Sequence, residues 1–326
     1  MSELSSDLRM QEKMVQSFQQ IRKELHQNIV GMETAMDAMF WTLLCQGHAL
    51  FVGVPGLAKT LLISSLSELL SLKFNRIQFT PDMMPSDLLG SEILEEEKTT
   101  GRKVFEFRRG PIFCQMLLAD EINRTSPKTQ AALLQAMQES EVTYAGKNYE
   151  LMPPFVVFAT QNPIESEGTY PLPEAQLDRF LLSIPVDYPS EADELEIVKR
   201  TTSQNRIILE PVLSSADLLK YQSLVKKVPM DDKLVNQTVQ LVRRSRPGEQ
   251  MSKELSEVIR FGAGPRASQA IAMTAKARAL LAGRFAVREE DIFAVAPFVL
   301  KHRLVLRRLR DQSAESVVSQ LIQASI

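Results

Sequence analysis

The 326-residue chain predicts an α/β domain built on a parallel sheet with helices on both faces, followed by a smaller all-helical domain. Three observations predict it. Before residue 190, short runs that are apolar on consecutive positions alternate with helical patterns, as strands buried on both faces require. From Glu191 onward the spacing changes to longer amphipathic segments with no comparable apolar runs. The length exceeds what one hydrophobic core usually serves, so a large domain plus a smaller one is expected. The boundary falls between residues 1–189, which include an N-terminal helical segment, and residues 190–326. Pro185 and Pro189 mark it, since proline disfavours continuation of strand or helix.

The predicted strands, in order, are ALFVG (49–53), FNRIQF (74–79), MLLAD (116–120), FVVFAT (155–160) and FLLSIPV (180–186). LLISSLSELL, after the first, has helical spacing. Two insertions interrupt the alternation. Residues 90–111 place the charged EEEKTTGRK between segments of β character, and residues 141–154 carry Ala-Gly-Lys-Asn as a hairpin turn. Beyond the boundary, ADELEIVKR, DDKLVNQTVQLVRR and ASQAIAMTAKARALLAG predict helices. KHRLVLRRLRD (301–311) is basic and amphipathic. A solvated helix or a subunit contact suits it better than a nucleic-acid or membrane site, since no aromatic interleaving accompanies it.

Composition narrows the function classes. The chain is 44% hydrophobic and 24% charged, as in an ordinary globular protein. A net charge of -2 supplies no global basic field for nucleic acid or anionic lipid. Cys45 and Cys114 lie in apolar runs with no CxxC spacing, and His26, His48 and His302 are scattered, so no metal or disulfide framework is expected. The N-terminus has no apolar core of signal-peptide type and no run approaches the length of a membrane span, which sets a cytoplasmic location as the expectation.

Three strand ends carry chemistry. GVPGLAKT, Gly53 to Thr60, follows a strand run and opens a helix, the context that a phosphate-binding P-loop requires. Gly53 and Gly56 let the backbone of Val54, Pro55, Leu57 and Ala58 close around phosphates. Lys59 would reach the β and γ phosphates, Thr60 would ligate Mg²⁺, and Leu61 continues into the helix. Ala58 stands where a third glycine is usual, and a helix-starting conformation there would accept its methyl group. MLLADEIN ends a strand in adjacent carboxylates: Asp120 suits the Mg²⁺ hydration shell and Glu121 suits polarisation of the attacking water. FVVFATQNP ends a third strand in Thr160, Gln161 and Asn162, of which Asn162 is the chosen contact for γ-phosphate and water. Asn-Pro is also a common turn opener.

The runs FTPDMMPSDLLGSEI (79–93), FEFRRGPIF (105–113), LLADEINRTSPKTQAALLQAMQES (117–140) and ATQNPIESEGTYPLPEAQLDRFLL (159–182) resemble the MoxR group of AAA+ ATPases, in the helix-2-insert branch that includes magnesium chelatase. The resemblance spans roughly residues 20 to 310. It implies an αβα P-loop NTPase core with a helical lid, ATP and Mg²⁺ as cofactors, and hexameric rings with nucleotide between subunits. Lys59 and Thr60 match the Walker A positions, Asp120 and Glu121 the Walker B positions, and Asn162 sensor 1. Arg179 in LDRF matches the arginine finger, Arg266 in GAGPRAS matches sensor 2, and Arg124 is a further interface candidate. Ile29, Val30 and Gly31 match the segment against adenine, although Met32 replaces the family's more frequent glutamine. The resemblance further implies chaperone-like work on a separate client bearing a von Willebrand factor A domain, delivered through the two insertions. A nucleic-acid-dependent motor and a nucleotide-sensing scaffold are the alternatives. DNA stimulation of turnover would mark the first, and the intact Glu121 argues against the second.

Overall fold

Consecutive apolar residues form the strands Ala49–Val52, Met116–Asp120, Val156–Gln161 and Leu182–Pro185, buried on both faces as the sequence predicts, whereas the edge strand Phe74–Gln78 exposes Arg76 and Gln78. The computed structural model describes residues 3–96, 103–163, 168–202, 208–248, 251–307 and 313–324. It opens with α1 (Glu3–Asn28), α2 (Glu33–Leu44), β1 (Ala49–Val52), α3 (Lys59–Leu69) and β2 (Phe74–Gln78). α4 (Pro85–Leu89) leads into a hairpin of β3 (Gly90–Glu96) and β4 (Lys103–Arg109), followed by β5 (Met116–Asp120) and α5 (Pro127–Glu139). A second hairpin, β6 (Glu141–Tyr144) and β7 (Lys147–Glu150), precedes β8 (Val156–Gln161), the short α6 (Glu174–Leu177) and β9 (Leu182–Pro185).

β1, β2, β5, β8 and β9 make one parallel sheet in the order β2-β5-β8-β1-β9. Because successive side chains point to opposite faces, Phe51, Met116, Leu118, Val156 and Phe158 feed one core, and Leu50, Leu117, Ala119, Val157 and Ala159 the other. Each large side chain so buried contributes roughly 1.5–3 kcal/mol. The register sets Gln78 beside Asp120 and Val52 beside Gln161, so the strands' carboxyl ends share one edge. That edge is where open α/β sheets bind ligands.

The second half comprises α7 (Glu191–Thr201), α8 (Ser215–Lys227), α9 (Asp232–Arg244), α10 (Lys253–Val258), α11 (Pro265–Leu281), α12 (Glu289–Leu300) and α13 (Ala314–Gln323). A small antiparallel pair, β10 (Ile259–Phe261) and β11 (Val305–Leu306), was not legible in the helical pattern. α11 is central: Ala267, Ala270, Ala275 and Ala277 are buried along it and let α9 and α12 approach closely. α1 buries Met14, Phe18, Ile21 and Leu25 at helical spacing, and it packs on α3 of the sheet half and on α8 and α11 of the helical half. One cluster of buried side chains therefore runs from the sheet to Leu321 without a gap at residue 190. Among the described residues, no helix is long and apolar enough to cross a membrane.

Three local expectations are corrected. The basic segment 301–311 is not a helix over its described part: residues 301–303 form a turn and Val305–Leu306 pair with β10. Arg303 turns its charge inward: its side chain is only 3% exposed and bonds to the Asp178 carboxylate at 2.8 Å and the Phe180 carbonyl at 2.7 Å. Residues 308–311 lie outside the described residues. In the second hairpin only Ala145 and Gly146, both at positive φ (48° and 77°), make the turn, while Lys147 and Asn148 already belong to β7. Finally, Ala58 is not in a helix-starting conformation; its φ of 52° is left-handed. The expected first hairpin is present as β3–β4, with the turn within EEEKTTGRK at 97–102 outside the described residues. The two hairpins are joined by aromatic contact, Phe107 stacking on Tyr149 at 4.3 Å and meeting Tyr144 at 5.0 Å.

Candidate active site

The loop after β1 closes around a cavity of about 560 Å³ lined by Gly53, Pro55 to Leu61, Asp120, Glu121, Thr160 and Asn162. Two glycines have different reasons to be there. Gly56 (φ 83°) uses left-handed backbone, whereas a Cβ on Gly53 would stand 2.3 Å from the Val186 carbonyl oxygen, so that glycine lets β1 lie against the end of β9. Val54 lines no part of the cavity, but its carbonyl and that of Gly53 accept from the Lys59 ammonium at 2.9 and 2.7 Å. Burial pulls the Lys59 pKa below its ordinary value, and the nearby charges of Asp120 and Glu121 oppose that shift.

The two carboxylates are held by neighbours on both sides. Thr160, at the end of β8, donates to Asp120 Oδ1 at 2.6 Å and accepts from the Glu121 backbone N–H at 2.8 Å. Glu121 sits at φ 58°, an uncommon conformation for a non-glycine and one that gathers at functional sites. Its Oε2 accepts from Gln78 at 2.8 Å and from Arg124 at 2.9 Å. Arg124 is thus placed on the carboxylate of its own chain. Arg76 makes a forked contact to Asp120 Oδ2, at 2.6 Å from Nη2 and 3.2 Å from Nε. Asn162 is buried and lines the same cavity.

A second cavity of about 630 Å³ continues from the first, sharing Pro55, Gly56, Leu57, Ala58 and Leu61. Ile29, Val30 and Gly31 line one wall, with Val186 and Ile197 among the facing residues. Arg200 of α7 donates to the His26 carbonyl at 2.7 Å, tying that wall to the end of α1. The first cavity gathers the Lys59 ammonium with the Asp120 and Glu121 carboxylates, and the second adds the apolar Ile29, Val30, Val186 and Ile197 beside the charged Asp193 and Arg200. The oxygen donors of Thr60 and Asp120 suit a hard cation such as Mg²⁺. No cluster of three or more His, Cys, Asp or Glu side chains occurs among the described residues. Two oxygen donors leave the rest of an octahedral shell to phosphate oxygens and water, as Mg²⁺ usually has it.

Arg179 and Arg266 are not in either cavity. They line a different cleft with Asp178, Arg303 and His48, and Asp178 pairs with Arg303 at 2.8 Å and Arg266 at 3.7 Å. Asp178, which precedes Arg179 in the chain, is therefore engaged with other arginines. Sequence reasoning missed Arg76 and Gln78, which read only as alternate residues of a strand. Their spacing of two places both on one face of β2, but only the adjacency of β2 to β5 shows that this face meets Asp120.

Residues 48–182 match the model of the ATPase family associated with various cellular activities (AAA), and residues 252–323 match that of the AAA lid domain. Chaperone MoxR1 of Mycobacterium tuberculosis is 42% identical over 92% of this chain and 79% of its own. Protein YeaC of Bacillus subtilis is 40% identical over 93% of this chain and 92% of its own. A solved structure from Cytophaga hutchinsonii, of a chain assigned as an ATPase, superimposes with a TM-score of 0.91 at 36% identity, covering 98% of both chains.

Proposed function

Because the chain belongs to the MoxR family of AAA+ ATPases, we propose that it hydrolyses ATP to ADP and phosphate in a Mg²⁺-dependent reaction and spends the energy on remodelling or maturing a protein partner. The observation that carries this is the convergence of Lys59, Thr60, Asp120, Glu121 and Asn162 on one cavity at the carboxyl edge of the sheet. Ile29, Val30 and Gly31 hold the adenine, and the backbone from Gly53 to Leu61 holds the phosphates. Thr60 and Asp120 hold the cation, whose chemistry is to neutralise charge on the β and γ phosphates. Lys59 leaves the carbonyls of Gly53 and Val54 to bind phosphate. Glu121 leaves Gln78 and Arg124 to orient the attacking water and take its proton, and Asn162 holds that water against the γ-phosphate.

The separation of Arg179 and Arg266 from this cavity supports their service to a neighbouring subunit's nucleotide, in a ring that we take to be hexameric. An arginine so supplied lowers the barrier by about 4–7 kcal/mol, equivalent to roughly 10³–10⁵-fold. The name of the mycobacterial relative supports chaperone-like work. A separate client with a von Willebrand factor A domain, a domain division at residues 189 and 190, and a cytoplasmic location belong to the same reading. The test is phosphate release with Mg²⁺ and ATP. Glu121→Gln should bind ATP like wild type and release phosphate at least about 100-fold more slowly. Equal turnover by that variant would sink the water-activating role.

A further inference from the structure

We propose that Arg76 is a built-in counter-cation that occupies Asp120 when the site is empty and must be displaced when a divalent cation binds, so that metal and nucleotide enter together. This rests on the ATPase reading of the same cavity. Both oxygens of the Asp120 carboxylate are engaged by protein groups: Oδ1 by the Thr160 hydroxyl and Oδ2 by the Arg76 fork. The sheet does not demand a cation at this place. Arg76 is half-exposed on the edge strand β2 and lines the cavity, so its guanidinium stands where an incoming cation or its water shell would meet Oδ2. One further bond extends the arrangement. Arg76 Nη2 donates to Gln78 Oε1 at 3.2 Å, and Gln78 Nε2 in turn donates to Glu121.

A cation binding to Asp120 therefore exchanges one positive partner for another. With no nucleotide present, the released guanidinium has lost its carboxylate and the exchange is poor. With nucleotide present, the phosphate oxygens in the same cavity accept the guanidinium, and the exchange becomes favourable. Arg76 is thus a positioning residue that makes Mg²⁺ and nucleotide affinities depend on one another. A purely structural arginine would show no such coupling.

The probe is Mn²⁺, followed by loss of the free-ion electron paramagnetic signal, titrated into the full-length protein with and without ADP. For the nucleotide-free protein, Arg76→Gln should bind Mn²⁺ about tenfold more tightly than wild type, since one competing charge-assisted contact is removed. The factor by which ADP tightens Mn²⁺ binding should shrink correspondingly. Arg76→Lys keeps the charge without the fork and should fall between the two. Equal or weaker Mn²⁺ binding by Arg76→Gln, with thermal unfolding still cooperative, would overturn the proposal. Should wild type bind no adenine nucleotide, the ATPase reading fails, while the nucleotide-free titration still decides whether Arg76 competes for Asp120.

Discussion

The methyl group of Ala58 sits on left-handed backbone (φ 52°, ψ 17°) at the first turn of the phosphate-binding helix. An L-residue pays about 1–2 kcal/mol there, and glycine would escape that cost while losing about 0.5–1 kcal/mol to its freer unfolded chain. Ala58→Gly should therefore stabilise the protein by roughly 0.5–1 kcal/mol, read as a rise of about one degree in the thermal midpoint. A lowered midpoint would show that the neighbouring contacts hold Ala58 without strain. His48 supports a second prediction. Its ring is buried, Nδ1 accepting from the Val157 N–H at 3.0 Å and Nε2 donating to the Met137 carbonyl at 3.0 Å, and burial pulls its pKa from 6.5 down to about 4. Between those values the unfolded chain binds the proton and the folded chain does not. The stability His48 contributes is complete above about pH 6.5 and drains away as pH falls towards 4, by about 1.4 kcal/mol per pH unit. His302, half-buried and likewise depressed chiefly by desolvation, adds in the same direction. His48→Gln should flatten the acid side of a plot of urea midpoint against pH by about one proton's share; an unchanged slope would remove His48 from the account. Neither effect was legible beforehand. The sequence places Ala58 before a helix without stating its φ, and it shows His48 as an isolated ring with no ligand spacing.

Elements were legible where periodicity is set by burial on both faces, and illegible where it depends on which elements become neighbours. β1, β2, β5 and β9 fall within the runs that predict them, and β8 overruns its own by one residue, Gln161. Lys59, Thr60, Asp120 and Glu121 could be placed because each adjoins such a run in a motif of fixed spacing. The segment after α12 misled, because a stripe of arginine and leucine at helical spacing also serves a turn and a short strand whose cation points inward. Arg303 donates to the Asp178 carboxylate and to the carbonyls of Phe180, Leu181 and Val299, so it joins the helical half to the chain entering β9. Burial lowers its pKa while Asp178 holds it up. Removing the carboxylate leaves a nearly buried guanidinium with carbonyl partners only, and Asp178→Ala should cost about 3 kcal/mol of unfolding free energy. Amide exchange should rise in β10 and β11 more than in β1 and β8, since the former are anchored through this pair. Uniform loosening of both would argue that Arg303 carries no special link.

At the scale of the whole molecule, the decisive fact is that Arg179 and Arg266 line a different cavity of the chain from the loop after β1. Arg179 and Arg266 line a cleft that shares no residue with either part of the nucleotide cavity, and Arg266 spends its charge on Asp178. If Arg179 and Arg266 of one subunit complete the neighbour's site, a lone chain has only Lys59 and Arg76 beside the phosphates, lacks the further charge that Arg179 brings to the departing phosphate, and should turn over slowly whatever its affinity for ATP. Mixing supplies the test. Arg179→Ala subunits keep Lys59 but cannot assist a neighbour, and Lys59→Ala subunits keep Arg179 but cannot use ATP. Each pure assembly should lose at least about 100-fold in turnover. In an assembly containing both, an interface that pairs Lys59 of the first variant with Arg179 of the second is intact. Phosphate release should therefore reappear on mixing, in proportion to the number of such interfaces, and should vanish when the mixture is diluted until the assemblies dissociate. Assemblies verified by mass to contain both variants, yet no more active than either alone, would place Arg179 in the service of its own subunit and would require α6 and the chain leading into β9 to move towards the phosphate loop.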